Sequence, residues 1–212
     1  MTTSLPSDFD PLAHFQQLYQ QDADPWKVRQ RWYEQRRRDI LLACLPRQRY
    51  RNAFEPACGN GELTAALARR AERLLASDLS AEAVALTRRR MLREAPGDAA
   101  RVTVRQQHLP REWPAGAAFD LIVISEMAYY LDEQALLRLR QCCVGGMADD
   151  GTLVMCHWRR PFAGRRLNTD SVHTVFDATP GLHRLLRHSE DDFLLDVWSA
   201  SADSVAQQEG LA

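Results

Sequence analysis

Apolar residues recur at helical spacing near the start of this chain and in short unbroken runs further on. Leu12, Phe15, Leu18 and Tyr19 share one face of a helix predicted over 10–20. Asp22-Ala-Asp-Pro25 breaks it. A longer helix is predicted over 26–45, with Tyr33, Arg37, Ile40, Leu41 and Cys44 at helical spacing and Pro46 beyond its end. From residue 52 the pattern changes to alternating strand and helix. Strands are expected over 52–57, 74–78, 102–107, 119–125 and 152–157. Helices are expected over 62–73, from a Ser80 cap to about 93, and over 132–144, where Gly145 and Gly146 mark the stop. Leu121-Ile-Val-Ile124 has no polar break, as suits a strand covered on both faces. Two further runs, 182–189 and 193–199, flank the polar turn Glu190-Asp-Asp192. They read as a closing antiparallel hairpin, with a helix over 182–188 as the alternative.

Alternation of strand, turn and helix over about a hundred residues is the signature of an open, doubly wound α/β sheet with helices on both faces. The chain divides into a helical segment (1–45) that starts loosely around Pro6, an α/β core (46–200) and a flexible tail (201–212). At 212 residues it can bury one full core as a single domain. A net charge of −1 gives no general attraction to nucleic acid or an acidic membrane. No apolar run approaches the roughly 18 residues of a membrane span. Cys44, Cys58, Cys142, Cys143 and Cys156 are odd in number and form no C-x-x-C pair, which argues against a disulfide framework or a cysteine metal site. The start, Met1-Thr-Thr-Ser-Leu-Pro6, lacks the basic and apolar regions of a signal peptide, so a cytoplasmic location is expected. Arg47, Arg49, Arg51 and the run 88–90 read as solvated faces. Contact with RNA is the alternative, but no interleaved aromatics support base stacking.

In open α/β sheets, ligands bind beyond the carboxyl ends of the strands. After the first strand comes Glu55-Pro-Ala-Cys-Gly-Asn-Gly61, whose small residues allow a tight turn and close approach by a ligand. Asp78 closes the second strand, where a carboxylate can accept bonds from both ribose hydroxyls. Ser80 is better placed than Asp78 to cap the next helix. The glycines do not complete G-x-G-x-x-G, and Glu62 opens the helix where a pyrophosphate would rest. A carboxylate there repels phosphate and tolerates a cation.

These residues resemble motif I and the ribose-binding acid of class I S-adenosylmethionine-dependent methyltransferases. Gln107-His-Leu109 is similar to the adenine loop, and 119–126 to the strand that ends at the transfer site. Asp24-Pro-Trp26, Tyr33-Glu34, Arg37, 110–114, Tyr129-Tyr-Leu131, His157-Trp158 and 195–198 resemble the NodS-like subfamily. The resemblance implies a seven-stranded, mostly parallel sheet with a closing antiparallel hairpin. It implies S-adenosylmethionine as cofactor, held by Trp26, Tyr33, Arg37, Glu55, Ala57, Cys58, Gly59, Asn60, Gly61, Asp78, Leu79, His108, Leu109 and Ser125. The segment before the core would fold over the cofactor, with Arg37, or its neighbours Arg36 and Arg38, pairing with the methionine carboxylate. NodS-type enzymes N-methylate the free amine of a deacetylated chitooligosaccharide, so a small-molecule acceptor, an amino sugar or similar amine, is implied. RNA or protein methylation, and cofactor binding without catalysis, are the other readings.

Methyl transfer needs an aligned, neutral nucleophile. Glu126 or His157 is expected to handle the acceptor's proton and Tyr129 to orient the acceptor, although a strand-end tyrosine also suits simple packing. Three residues depart from the family pattern, the first being Pro56, which stands where an apolar β-branched residue is usual. Ala57 stands where glycine is usual, and His108 where an acid usually binds the adenine amino group. A neutral imidazole nitrogen accepts that bond and a protonated one does not. Cofactor affinity is therefore expected to weaken in acid, and His108→Asp to remove that dependence in titrations with S-adenosylhomocysteine. An unchanged acid dependence in the variant would refute the assignment.

Overall fold

The computed structural model describes residues 10–211. Residues 1–9 of the loose start expected around Pro6, and the last residue of the expected tail, lie outside the described residues. Two compact units divide the chain: residues 10–43 with Arg49–Trp113, and Cys44–Gln48 with residues 114–211.

The first unit opens with α1 (Pro11–Gln21), where Pro11 sits at the first turn and Asp10 accepts the Leu12 amide. The helix expected from residue 26 begins later, as α2 (Trp32–Ala43). The reason lies in Asp24. Its carboxylate captures the amides of Val28 at 2.8 Å and Arg29 at 3.2 Å, which closes a turn and puts Lys27 at φ 58°. Beyond lie β1 (Ala53–Pro56), α3 (Glu62–Ala68), β2 (Leu74–Asp78), α4 (Ala81–Glu94) and β3 (Val102–Gln106). The helix α3 stops five residues short of its expected end, because Tyr50 and Ala71 form a bridge and Tyr50 exchanges backbone bonds with Arg70 and Glu72. The strands run in the order β3-β2-β1, all parallel.

The second unit contains β4 (Phe119–Ser125), α5 (Glu133–Gly146), β5 (Met147–Trp158), α6 (Thr169–Asp177), β6 (His183–Ser189), β7 (Phe193–Ser199) and α7 (Val205–Gln208). The order is β4-β5-β7-β6, with β4 and β5 parallel and β7 antiparallel to both neighbours. The hairpin is therefore a strand pair and not the helical alternative. The helix α6 has no counterpart among the elements expected from periodicity. Its β-branched Thr169, Val172 and Val175 weaken helix propensity, and Asn168 offsets this by capping Ser171. Within the expected tail, Ser204 and Gln207 form a reciprocal capping box on α7.

Seven strands, mostly parallel, with helices around them, agree with the doubly wound sheet that the alternation predicts and with the strand number that the resemblance implies. Among the described residues no helix is long and apolar enough to cross a membrane. Leu121, Ile122, Val123 and Ile124 are fully buried on both faces of β4. Ile122→Ala is expected to cost about 2–5 kcal/mol of stability, read as a shift in the urea midpoint at constant slope.

Candidate functional site

The first unit carries most of the expected cofactor residues at its strand ends. The chain leaves β1 with Ala57 at φ 57°, Gly59 at φ 57° and Gly61 at φ 82°. An alanine in the left-handed region costs about 1–2 kcal/mol, so the departure from glycine at this position is strained. The turn is bonded along its length. Cys58 N–H donates to Ser77 O, Thr87 Oγ1 donates to Gly59 O at 2.8 Å, and Arg90 Nε donates to Asn60 O at 2.8 Å. A Cβ on Gly61 would lie 3.0 Å from the Thr87 side chain, so glycine is required by space as well as by φ.

Asp78 links the three strand ends. Its Oδ2 accepts the Gly59 amide and its Oδ1 the Ser80 amide, each at 2.9 Å, while its carbonyl accepts the Gln107 amide. Burial pushes its carboxyl up from the usual range, against these amide bonds. Leu79 O accepts from Gln106 Nε2 at 3.0 Å, and Leu109 is buried. In the loop after β3, Gln107 Oε1 and His108 Nδ1 are buried without a hydrogen-bond partner. A ligand offering donors there, such as an adenine amino group, fits the two acceptors.

Glu55 is buried at the end of β1, where Thr64 Oγ1 donates to it at 2.6 Å. Burial pushes its carboxyl up to about 8, the Thr64 bond opposes this, and the Asp78 charge adds to it. Glu62 opens α3 and pairs with Arg90 at 2.7 Å, with Arg38 at 3.7 Å and Arg29 at 3.8 Å nearby. The N-terminus of α3 thus carries a carboxylate at the place where a pyrophosphate rests in a dinucleotide fold.

Other expected residues stand differently. Trp26 lies in the turn before α2, edge-on to Tyr19 with ring centroids 5.7 Å apart. On α2, Arg37 pairs with Glu34 at 2.6 Å and lies 5.7 Å from the centre of the Tyr33 ring. Their neighbour Arg38 lies 3.7 Å from Glu62 at the start of α3. The run 88–90 is exposed as expected at Arg88 and Arg89, although Arg88 also donates to Val104 O at 2.6 Å, and departs from that at Arg90, which is 7% exposed. Arg49 and Arg51 are exposed as expected. Four residues around the turn are not among the expected cofactor residues. Tyr19 stands over Gly59, Gln16 Oε1 accepts from Ser80 Oγ at 2.8 Å, and Asp24 accepts from Asn60 Nδ2 at 3.2 Å. Thr87 is the fourth. On their helices Tyr19 and Thr87 are indistinguishable from ordinary core positions.

The second unit carries the proton-handling candidates. Ser125 ends β4, half-buried, and Glu126 follows at φ 58°. Glu126 Oε1 accepts the Trp158 amide at 2.8 Å, and Oε2 accepts the Tyr129 hydroxyl at 2.5 Å. These two candidates are therefore brought together. His157 is not placed to act as a base. It is fully buried, its Nε2 accepts the Ala128 amide at 3.2 Å, and its Nδ1 is 3.0 Å from His173 Nε2. Both ring nitrogens are engaged within the protein.

The family model described as nodulation protein S (NodS) matches residues 13–175. Nodulation protein S of Rhizobium tropici is 35% identical over 117 residues, 55% of this chain and 47% of that protein. The counterpart in Sinorhizobium fredii (strain NBRC 101917 / NGR234) is 34% identical over 116 residues, 54% of this chain and 51% of that protein. The chain thus spans about half the length of the curated relatives it matches. Among solved structures, a Pseudomonas syringae protein described as a candidate methyltransferase is 47% identical, with a TM-score of 0.69, over 80% of this chain and 99% of its own. The N-methyltransferase NodS of Bradyrhizobium japonicum WM9, in complex with S-adenosylhomocysteine, has the same fold, with a TM-score of 0.76, 23% identity and coverage of 87% of this chain and 97% of its own.

Glu55 generates a prediction of unusual sign. Between its ordinary value of 4.5 and about 8 the folded protein keeps a proton that the unfolded chain has released. Stability contributed by this group is full below about pH 4.5 and is lost as pH rises to about 8. Glu55→Gln is expected to flatten that decline by on the order of a few kcal/mol, measured as urea midpoints from about pH 5 to about pH 8.5. A parallel decline in both proteins would show that Glu55 is ionised when folded.

Proposed function

Because the chain belongs to the nodulation protein S (NodS) family, we propose that it is an S-adenosylmethionine-dependent N-methyltransferase whose acceptor is the amine of an amino sugar, such as a deacetylated oligosaccharide. The observation that carries this reading is the Asp78 carboxylate at the end of β2, bonded to the Gly59 amide of a left-handed turn whose helix is closed to phosphate by Glu62. Each Asp78 oxygen keeps a lone pair for a ribose hydroxyl. His108 Nδ1 and Gln107 Oε1 would accept from the adenine amino group. Glu55 suits a cationic ligand, since a nearby positive charge favours its ionised form. When bound, the cofactor supplies a methyl group on a positively charged sulfur.

The chain's own residues then have two tasks. An amine attacks only when neutral, and the secondary ammonium formed must lose a proton. Glu126 takes that role as the carboxylate just beyond β4, and the Tyr129 hydroxyl on its Oε2 fixes its direction. The second reading, RNA as acceptor, has only the exposed Arg49, Arg51, Arg88 and Arg89 behind it, since Arg90 is buried and donates to Asn60 O.

Titration with S-adenosylhomocysteine tests the cofactor. Micromolar binding is expected, with a loss of roughly 100-fold in Asp78→Ala as two bonds to a charged group disappear. Incubation with glucosamine oligomers and their N-acetylated counterparts tests the acceptor. Methyl transfer to nitrogen of the free amines alone is expected. Failure to bind S-adenosylhomocysteine, or methylation of the acetylated compounds, overturns the proposal.

A further inference from the structure

Three consecutive residues at the end of β5 grip the turn that carries Glu126. Cys156 O accepts the Glu126 amide at 3.0 Å, His157 Nε2 accepts the Ala128 amide at 3.2 Å, and the Trp158 amide donates to Glu126 Oε1 at 2.8 Å. Glu126 has φ 58°, a conformation that costs a non-glycine residue about 1–2 kcal/mol. Such strain persists only where the surroundings over-determine it.

The middle grip leads inward. An amide only donates, so His157 Nε2 must offer its lone pair and the ring proton lies on Nδ1. That proton points at His173 Nε2, 3.0 Å away, so the His173 proton lies on its own Nδ1, 2.7 Å from Asp196 Oδ2. Asp196 is fully buried. Its burial favours the neutral form, yet the bonds from His173 and Arg187 outweigh that and hold its carboxyl below the usual range. Arg187 meets it in bidentate fashion, Nε to Oδ1 at 2.7 Å and Nη2 to Oδ2 at 2.8 Å. The row Arg187–Asp196–His173–His157–Ala128 therefore has one consistent arrangement of protons. Its inner end is a backbone amide, so it holds the turn and does not carry the acceptor's proton.

We infer that His173 and Asp196 are positioning residues for methyl transfer: they lock His157 in its Nδ1–H tautomer, and so hold Glu126 and Tyr129 in working geometry. The inference rests on the methyltransferase reading of Glu126. It explains why a histidine with both nitrogens engaged sits beside the carboxylate, edge-on to the Tyr129 ring at 5.2 Å. The Nδ1–H form is the less common tautomer of a free imidazole, so the lock leaves a spectroscopic mark.

The test uses the full chain labelled with nitrogen-15 histidine, as wild type, Asp196→Asn and Arg187→Gln. Long-range nitrogen–proton correlation spectra report the tautomer of each ring without any acceptor. In the wild type both His157 and His173 are expected as Nδ1–H. In Asp196→Asn the pattern is expected to change, with kcat on glucosamine oligomers falling on the order of 100-fold while S-adenosylhomocysteine affinity holds. Arg187→Gln, altered at a half-exposed side chain, is expected to give a smaller fall and keeps the test open should the buried variant not fold. An Nε2–H or doubly protonated His157 in the wild type overturns the lock. Wild-type kcat in a variant with altered tautomers overturns the positioning role. If no protein binds S-adenosylhomocysteine, the methyltransferase reading fails and the positioning role falls with it, while the wild-type tautomers still decide whether the lock exists.

Discussion

Asp78 is the junction on which the first unit depends. A strand that ends in a sharp turn leaves amides that must find acceptors away from bulk water. One carboxylate serves two of them, at Gly59 and Ser80, and its carbonyl serves a third at Gln107. The turn after β1, the start of α4 and the loop after β3 thereby share a single anchor. The side chains that surround them are arranged around that anchor: Thr87 and Arg90 hold the turn's carbonyls, and Glu62 gathers the neighbouring arginines.

Each unit has a non-glycine residue in the left-handed region directly beyond a buried strand, Ala57 after β1 and Glu126 after β4. Both are held by bonds from neighbouring strands and not by their own preference. At Ala57 the adjoining residue is tied to Ser77, and at Glu126 the end of β5 supplies the grip. Rigid strands thus impose a backbone shape that the local sequence would not choose, at the positions where close approach or a directed carboxylate is needed.

The strand pattern was legible because periodicity reports burial, and the 119–125 run matched β4 residue for residue. The turn after β1 and the placing of Asp78 at the end of β2 were legible because glycines mark positive φ and an acid closes an apolar run. What the sequence concealed depended on contacts between distant residues. Asp24 delays the start of the expected long helix by capturing amides, a competition that helical spacing does not register. Arg90 reads as solvated because a run of like charges gives no sign that a carbonyl faces one of them. His157 looked available because its partners, Ala128 and His173, lie 29 and 16 residues away.

Tyr19 couples two positions that lie far apart in the chain. Its hydroxyl occupies the space directly above Gly59, carried there by a helix that also reaches Ser80 through Gln16. A Cβ at position 59 would lie 2.7 Å from that hydroxyl, so a side chain at 59 and the tyrosine at 19 compete for one volume. The residue allowed in the turn after β1 is therefore set partly by a helix forty residues ahead of it, and the two positions are free to change only together.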